Sequence, residues 1–102
     1  MSDAVITSQK SQTAPPAVPK VSPRLAALWR RGTNFLGCPI AIMAGAMTWV
    51  SERNLVAAIS NAGGFGVIAC GAMTPELLNA EIKGTQALTQ KPFAVNLITM
   101  HP

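Results

Sequence analysis

Apolar residues along this chain fall into short unbroken runs, separated by stretches whose apolar positions recur at helical spacing. The runs are Ile40–Ala44 (Ile-Ala-Ile-Met-Ala), Gly66–Cys70 and Phe93–Val95, the last opening a strand predicted over Phe93–Thr99. Continuous apolarity over such short runs is the pattern of a parallel strand covered on both faces. Between the first two runs, Leu55, Ala58, Ile59 and Ala62 predict one buried stripe of a helix, with Ser51 as its cap, Glu52 at its positive end and Gly63-Gly64 closing it. Thr74-Pro75-Glu76 predicts a second helix start, a capping hydroxyl followed by proline and an acid, and that helix runs to about Leu88. Thr89–Pro92 is then a turn. A further helix is predicted over residues 24–36, with Leu25, Leu28, Trp29 and Phe35 available for one apolar side. The order is helix, β, α, β, α, β, and strands joined by helices pair in parallel because parallel neighbours need a crossover.

A repeat reinforces this reading. Ala44-Gly45-Ala46-Met47-Thr48 recurs 26 residues later as Cys70-Gly71-Ala72-Met73-Thr74, and a third step of that size lands on Asn96. Sites in parallel α/β folds gather where strands end and loops begin. Those positions are Gly45–Met47, Gly71–Met73 and Asn96.

Composition changes the picture in two ways. Of 102 residues, 49% are hydrophobic and only 12% charged, more apolar than a small soluble domain requires, which suits a piece of a larger fold. The formal charge of +4 comes from Lys10, Lys20, Arg24, Arg30 and Arg31 against Asp3, whereas residues 32–102 are balanced. A nucleic-acid surface needs clustered cations on a folded face, so no nucleic-acid partner is expected. Residues 1–23, rich in Pro, Ser and Thr, read as a flexible leader, and residues 24–102 as the folded part.

Export signals fit poorly. Arg30-Arg31 is followed by an apolar run whose Phe35 stands too far from the arginine pair for a twin-arginine signal, and arginines occupy the region a lipoprotein box would need apolar. Cys38–Val50 is too short to span a bilayer as a helix. The chain is therefore expected in the cytoplasm, away from membranes. Cys38 and Cys70 form no CxxC pair, and His, Cys and carboxylates do not cluster at metal-ligand spacing. Cys70 reads as a small buried strand-end residue.

Gly63-Gly64-Phe65-Gly66 is rich enough in glycine to suggest a phosphate loop, but it follows a helix and opens a strand, the reverse of what a phosphate loop requires. A tight turn is the better reading. Gly45-Ala46-Met47 stands in the right place, where small residues let a flat ligand approach backbone amides; a close-packed barrel rim is the alternative. Asn96 is a polar amide in an apolar run, either satisfied by neighbouring backbone or held for a ligand, and the repeat favours the ligand. His101, the single histidine, is more plausibly solvated than catalytic. Trp49 is expected to wedge the first helix against the sheet, and Met47 and Met73, equivalent in the repeat, suggest layer packing.

Three ordered motifs carry a family resemblance. Gly45-Ala46-Met47-Thr48-Trp49-Val50, Leu55 through Gly66, and Lys91-Pro92-Phe93-Ala94-Val95-Asn96 resemble the N-terminal third of the nitronate monooxygenases, formerly 2-nitropropane dioxygenases. Flavin-dependent enoyl-acyl-carrier-protein reductases share the same opening. The resemblance covers about residues 36–99. It implies an FMN-binding TIM barrel, of which the chain would supply a βαβαβ portion, about three of eight strands. It also implies that Gly45, Ala46 and Met47 lie against the flavin and that Asn96 hydrogen-bonds it. The family's first-strand proline is replaced by Ala41 or Ile42, with Pro39 as a shifted counterpart.

The family's catalytic histidine belongs to a later part of the barrel, and no matching motif transfers that role to His101. The expected function is thus that of the N-terminal part of an FMN-dependent oxidoreductase that oxidises alkyl nitronates with O2, inactive alone. The runner-up is a piece of the enoyl-thioester reductase. From a different class comes a non-catalytic βαβαβ module that self-associates through its open sheet edges.

Overall fold

The computed structural model describes residues 17–99; most of the leader and His101 lie outside the described residues. Helix α1 spans Pro23–Leu36, α2 Arg53–Asn61 and α3 Pro75–Leu88, while strands β1 (Gly66–Ile68) and β2 (Phe93–Val95) form a two-stranded parallel sheet. Gly66 pairs with Phe93 and Ile68 with Val95, so the register lies one residue beyond the sequence repeat.

The first apolar run does not form the expected strand. Ile40–Ala44 meets the sheet through a single parallel bridge, Met43 to Phe65. The Ile42 amide turns back to the Ile40 carbonyl at 2.7 Å and interrupts a regular ladder. Nor is the run covered on both faces, since Ile42 is 56% exposed and Met43 nearly as much. Full burial needs protein on the far side, and none is present among the described residues. The third strand is likewise three residues rather than seven: the Asn96 amide still donates to the Ile68 carbonyl, but Leu97 and Ile98 run on exposed.

The helices keep their expected bounds, and what differs is the face each one buries. In α1, Ser22 caps the start with its hydroxyl accepting from the Leu25 amide, yet no residue is buried, and Leu28 and Phe35 are exposed where an apolar side was expected. In α2 the cap is Glu52, whose carboxylate accepts from the Asn54 and Leu55 amides, and Ser51 has another task. The buried stripe is Val56, Ala57 and Ser60, with Ala58 exposed and Leu55, Ile59 and Ala62 only half-buried. The helix sits so close to β1 that small side chains are required at the contact: a Cβ on Gly66 would lie 2.5 Å from the Val56 carbonyl oxygen. Gly63, at φ 99°, reverses the chain after α2, as the tight-turn reading requires.

Helix α3 starts at the Thr74 cap as expected and packs on α2 through a polar face, with Glu81 and Thr85 buried. One Glu81 oxygen accepts from the Arg53 side chain (2.7 Å from Nη2, 3.1 Å from Nε), and the other accepts from the Arg53 backbone amide at 2.8 Å. Glu81 thereby satisfies an orphan amide at the start of α2 from a different helix. The bond from the Arg53 guanidinium, aided by the backbone bond and against the cost of burial, holds the Glu81 carboxyl below its ordinary 4.5.

A group that holds its proton less tightly when folded adds stability above the unfolded value and loses it as pH falls through the folded one. Thermal unfolding followed against pH should therefore show the melting temperature dropping below about pH 4.5, and Glu81→Gln should flatten that part of the curve. An unchanged acid limb in the variant would assign the acid sensitivity elsewhere.

Candidate functional site

The strand ends line up at one edge of the sheet. There the backbone after Ala44, after Ala69 and at Asn96 is tied laterally by hydrogen bonds. The Ser51 carbonyl accepts from the Ala69 amide at 3.0 Å. The next residue, Cys70, donates its amide to Asn96 Oδ1 at 2.8 Å and its thiol to the Asn96 carbonyl at 2.7 Å. This reciprocal pair fixes the Asn96 side chain with its carbonyl inward. Its amide nitrogen donates to nothing among the described residues.

The Gly45–Val50 loop covers the other end of this row. The amides of Val50 and Ser51 both donate to the Met47 carbonyl, at 3.0 and 2.8 Å, and close a tight turn. Met47 donates its own amide to Ser51 Oγ at 2.9 Å. Among the described residues, the Gly45 and Ala46 amides find no acceptor, and a Cβ placed on Gly45 would meet no atom within 4 Å. The edge thus keeps unpaired N–H donors, with open space beside Gly45, an arrangement that suits a flat ligand with hydrogen-bond acceptors along its rim.

The expected site residues separate accordingly. Among the described residues Gly45, Ala46 and Asn96 keep unpaired donors at this edge, whereas the Met47 amide is already engaged by Ser51. Met47 is half exposed, which does not fit layer packing. Trp49 is 71% exposed and so is not a wedge between helix and sheet; it stands instead at φ 63°. Cys70 is half-buried and bonded rather than merely small. Two participants escaped the sequence reading. Ser51, a hydroxyl before an acid, fits a helix cap in sequence, and Cys70 has no polar neighbour; its coincidence with Asn96 in the 26-residue repeat is the available signal.

A hollow of about 480 Å³ lies elsewhere, at the end of α3 among Asn61, Leu88 and Lys91. There Asn61 is already paired: it donates to the Leu88 carbonyl and accepts from the Thr89 hydroxyl. Among the described residues there is no group of three His, Cys, Asp or Glu side chains that could hold a metal ion, and no helix long and apolar enough to cross a membrane.

The chain is similar to several known proteins. The chain is 43% identical over 72 residues to the nitronate monooxygenase of Pseudomonas aeruginosa, covering 71% of this chain and 20% of that protein. It is 40% identical over 65 residues to the (3aS,4S,5R,7aS)-5-hydroxy-7a-methyl-1-oxo-octahydro-1H-indene-4-carboxyl-CoA dehydrogenase of Mycobacterium tuberculosis, covering 64% of this chain and 18% of that protein. Among solved structures, FabK from Thermotoga maritima superposes with a TM-score of 0.68 at 42% identity, over 71% of this chain and 23% of that one. The chain spans about a fifth of the length of these curated relatives. A model of the nitronate monooxygenase family matches residues 31–102, and the chain belongs to that family.

Proposed function

We propose that this chain supplies the first βα units of an FMN-binding (β/α)8 barrel and that its strand-end edge forms part of the flavin site of a nitronate monooxygenase. The carrying observation is the row of unpaired donors at that edge, the Gly45 and Ala46 amides and the Asn96 side-chain nitrogen, beside the open space over Gly45. An isoalloxazine ring is flat and bears acceptors along its polar rim, so the residues present fit it. Bound FMN would supply the redox chemistry, taking electrons from an alkyl nitronate and delivering them to O2. Gly45 lets the ring approach the backbone, Ala46 donates from the same loop, and Asn96 donates from the third strand end. No acid or base for the reaction is assigned within residues 17–99.

Titrating FMN into the purified chain, followed by its visible absorption and fluorescence, tests the site. Asn96→Asp keeps an oxygen for the Cys70 amide but replaces the outward donor with a carboxylate oxygen, and is expected to weaken FMN binding about tenfold or more. Equal binding by the two chains would remove Asn96 from the site. A reading as part of an enoyl-thioester reductase is favoured by the likeness to FabK and to the CoA-thioester dehydrogenase. Nicotinamide-dependent reduction of an enoyl thioester, without nitronate-dependent O2 uptake, would select it. The self-associating module draws support from exposed Ile42, Met43, Leu97 and Ile98, and requires a stable oligomer that carries no flavin.

A further inference from the structure

The loop after Ala44 holds a conformation that its own residues disfavour. Trp49 stands at φ 63°, left-handed backbone that a bulky side chain rarely adopts, and its side chain is mostly exposed, so little packing offsets the strain. Such a conformation persists where surrounding groups over-determine it. Ser51 provides them. Its hydroxyl accepts from the Met47 amide at 2.9 Å and reaches the Gly45 carbonyl at 3.4 Å. Its amide donates to the Met47 carbonyl at 2.8 Å, and its carbonyl accepts from Ala69 at the end of β1 at 3.0 Å. Ser51 itself is buried beneath a loop whose residues are largely exposed.

Those four bonds sort the polar groups of the loop. The Gly45 carbonyl and the Met47 amide turn toward Ser51, and among the described residues the Gly45 and Ala46 amides are left without acceptors, with open space beside Gly45. One hydroxyl can do this because it donates once and accepts as well. We propose that Ser51 is a positioning residue for the ligand site: its hydroxyl latches the Gly45–Met47 loop in the form that leaves the Gly45 and Ala46 amides free to receive the acceptor rim of the flavin. The ligand in this statement rests on the flavin reading above, whereas the latch itself rests on the hydrogen bonds alone.

Amide hydrogen exchange on the full chain reads the latch without flavin. In Ser51→Ala, the Met47 amide is expected to exchange about tenfold faster, with the Ala62 and Asn96 amides unchanged. In the same variant the FMN dissociation constant should rise about tenfold, and Ser51→Thr, which keeps the hydroxyl, should recover both values. Unchanged Met47 exchange overturns the latch. Faster Met47 exchange with unaltered FMN affinity overturns the ligand role, because Ser51 would then be merely structural. A wild-type chain that takes up no FMN shows the strand-end edge to be insufficient for flavin on its own, and the role of Ser51 toward flavin in this chain falls with it; wild-type binding that Ser51→Ala matches defeats this proposal alone. If Ser51→Ala does not fold by circular dichroism, Ser51→Cys makes the same comparison with a thiol that donates and accepts only weakly.

Discussion

A Gly66→Ala variant should melt about 15 °C below the wild-type chain, corresponding to about 3 kcal/mol of lost stability. The added methyl would stand 2.5 Å from the Val56 carbonyl oxygen and 3.0 Å from its Cα, so the obstacle is helix backbone and not a side chain that can rotate away. Helix α2 would have to lift from β1, and the Gly66 amide would lose its bond to Ser60 Oγ. Because Val56, Ala57, Val67 and Ile68 are buried along this contact, separation exposes most of the apolar core. Gly45→Ala is the matched control: its methyl meets no atom within 4 Å, and the melting temperature should stay put. Equal melting of the two variants in a thermal scan would mean that the α2–β1 approach is looser than the geometry requires.

Gly66 also illustrates what a sequence reading can and cannot see. Helix α3 is legible at both ends because its signals are local: Thr74-Pro75-Glu76 at the start, and polar Thr89-Gln90-Lys91-Pro92 after it. The α/β order and the parallel pairing are legible for the same reason. The face each helix buries is not. In α2, Leu55 and Ile59 look like the core, yet the close approach at Gly66 selects Val56, Ala57 and Ser60, one position further along. In α3, Glu81 looks like a solvated acid until Arg53, 28 residues earlier in sequence, is found bonded to it. Burial of Ile40–Ala44 depends on protein beyond it, so its apolar pattern reports an environment that the described residues only half provide.

The candidate site divides along the same line. Gly45, Ala46 and Asn96 were reachable because the 26-residue repeat marks successive strand ends. The groups that hold them in place were not. Ser51 and Cys70 act through backbone partners, and backbone partners leave no trace in composition or spacing.

Ser60→Ala carries the second large effect, an expected loss of about 2 kcal/mol and about 10 °C in melting temperature. Ser60 lies on the buried stripe of α2, where its hydroxyl donates to the Pro92 carbonyl at 2.9 Å and accepts from the Gly66 amide at 3.2 Å. A single oxygen therefore joins the helix, the first residue of β1 and the residue before β2. Alanine keeps nearly the same volume, so the loss comes from orphaned backbone and not from a cavity. Gly66 is buried and cannot turn to water, whereas Pro92 is exposed and can, which holds the cost to one unsatisfied group. Hydrogen exchange separates this from general loosening: the Gly66 amide should lose more protection than the Asn96 amide, which bonds to Ile68 without Ser60. If both amides lose protection equally, Ser60 acts only through overall stability, and the three-way junction is not the unit that sets the β1–β2 register.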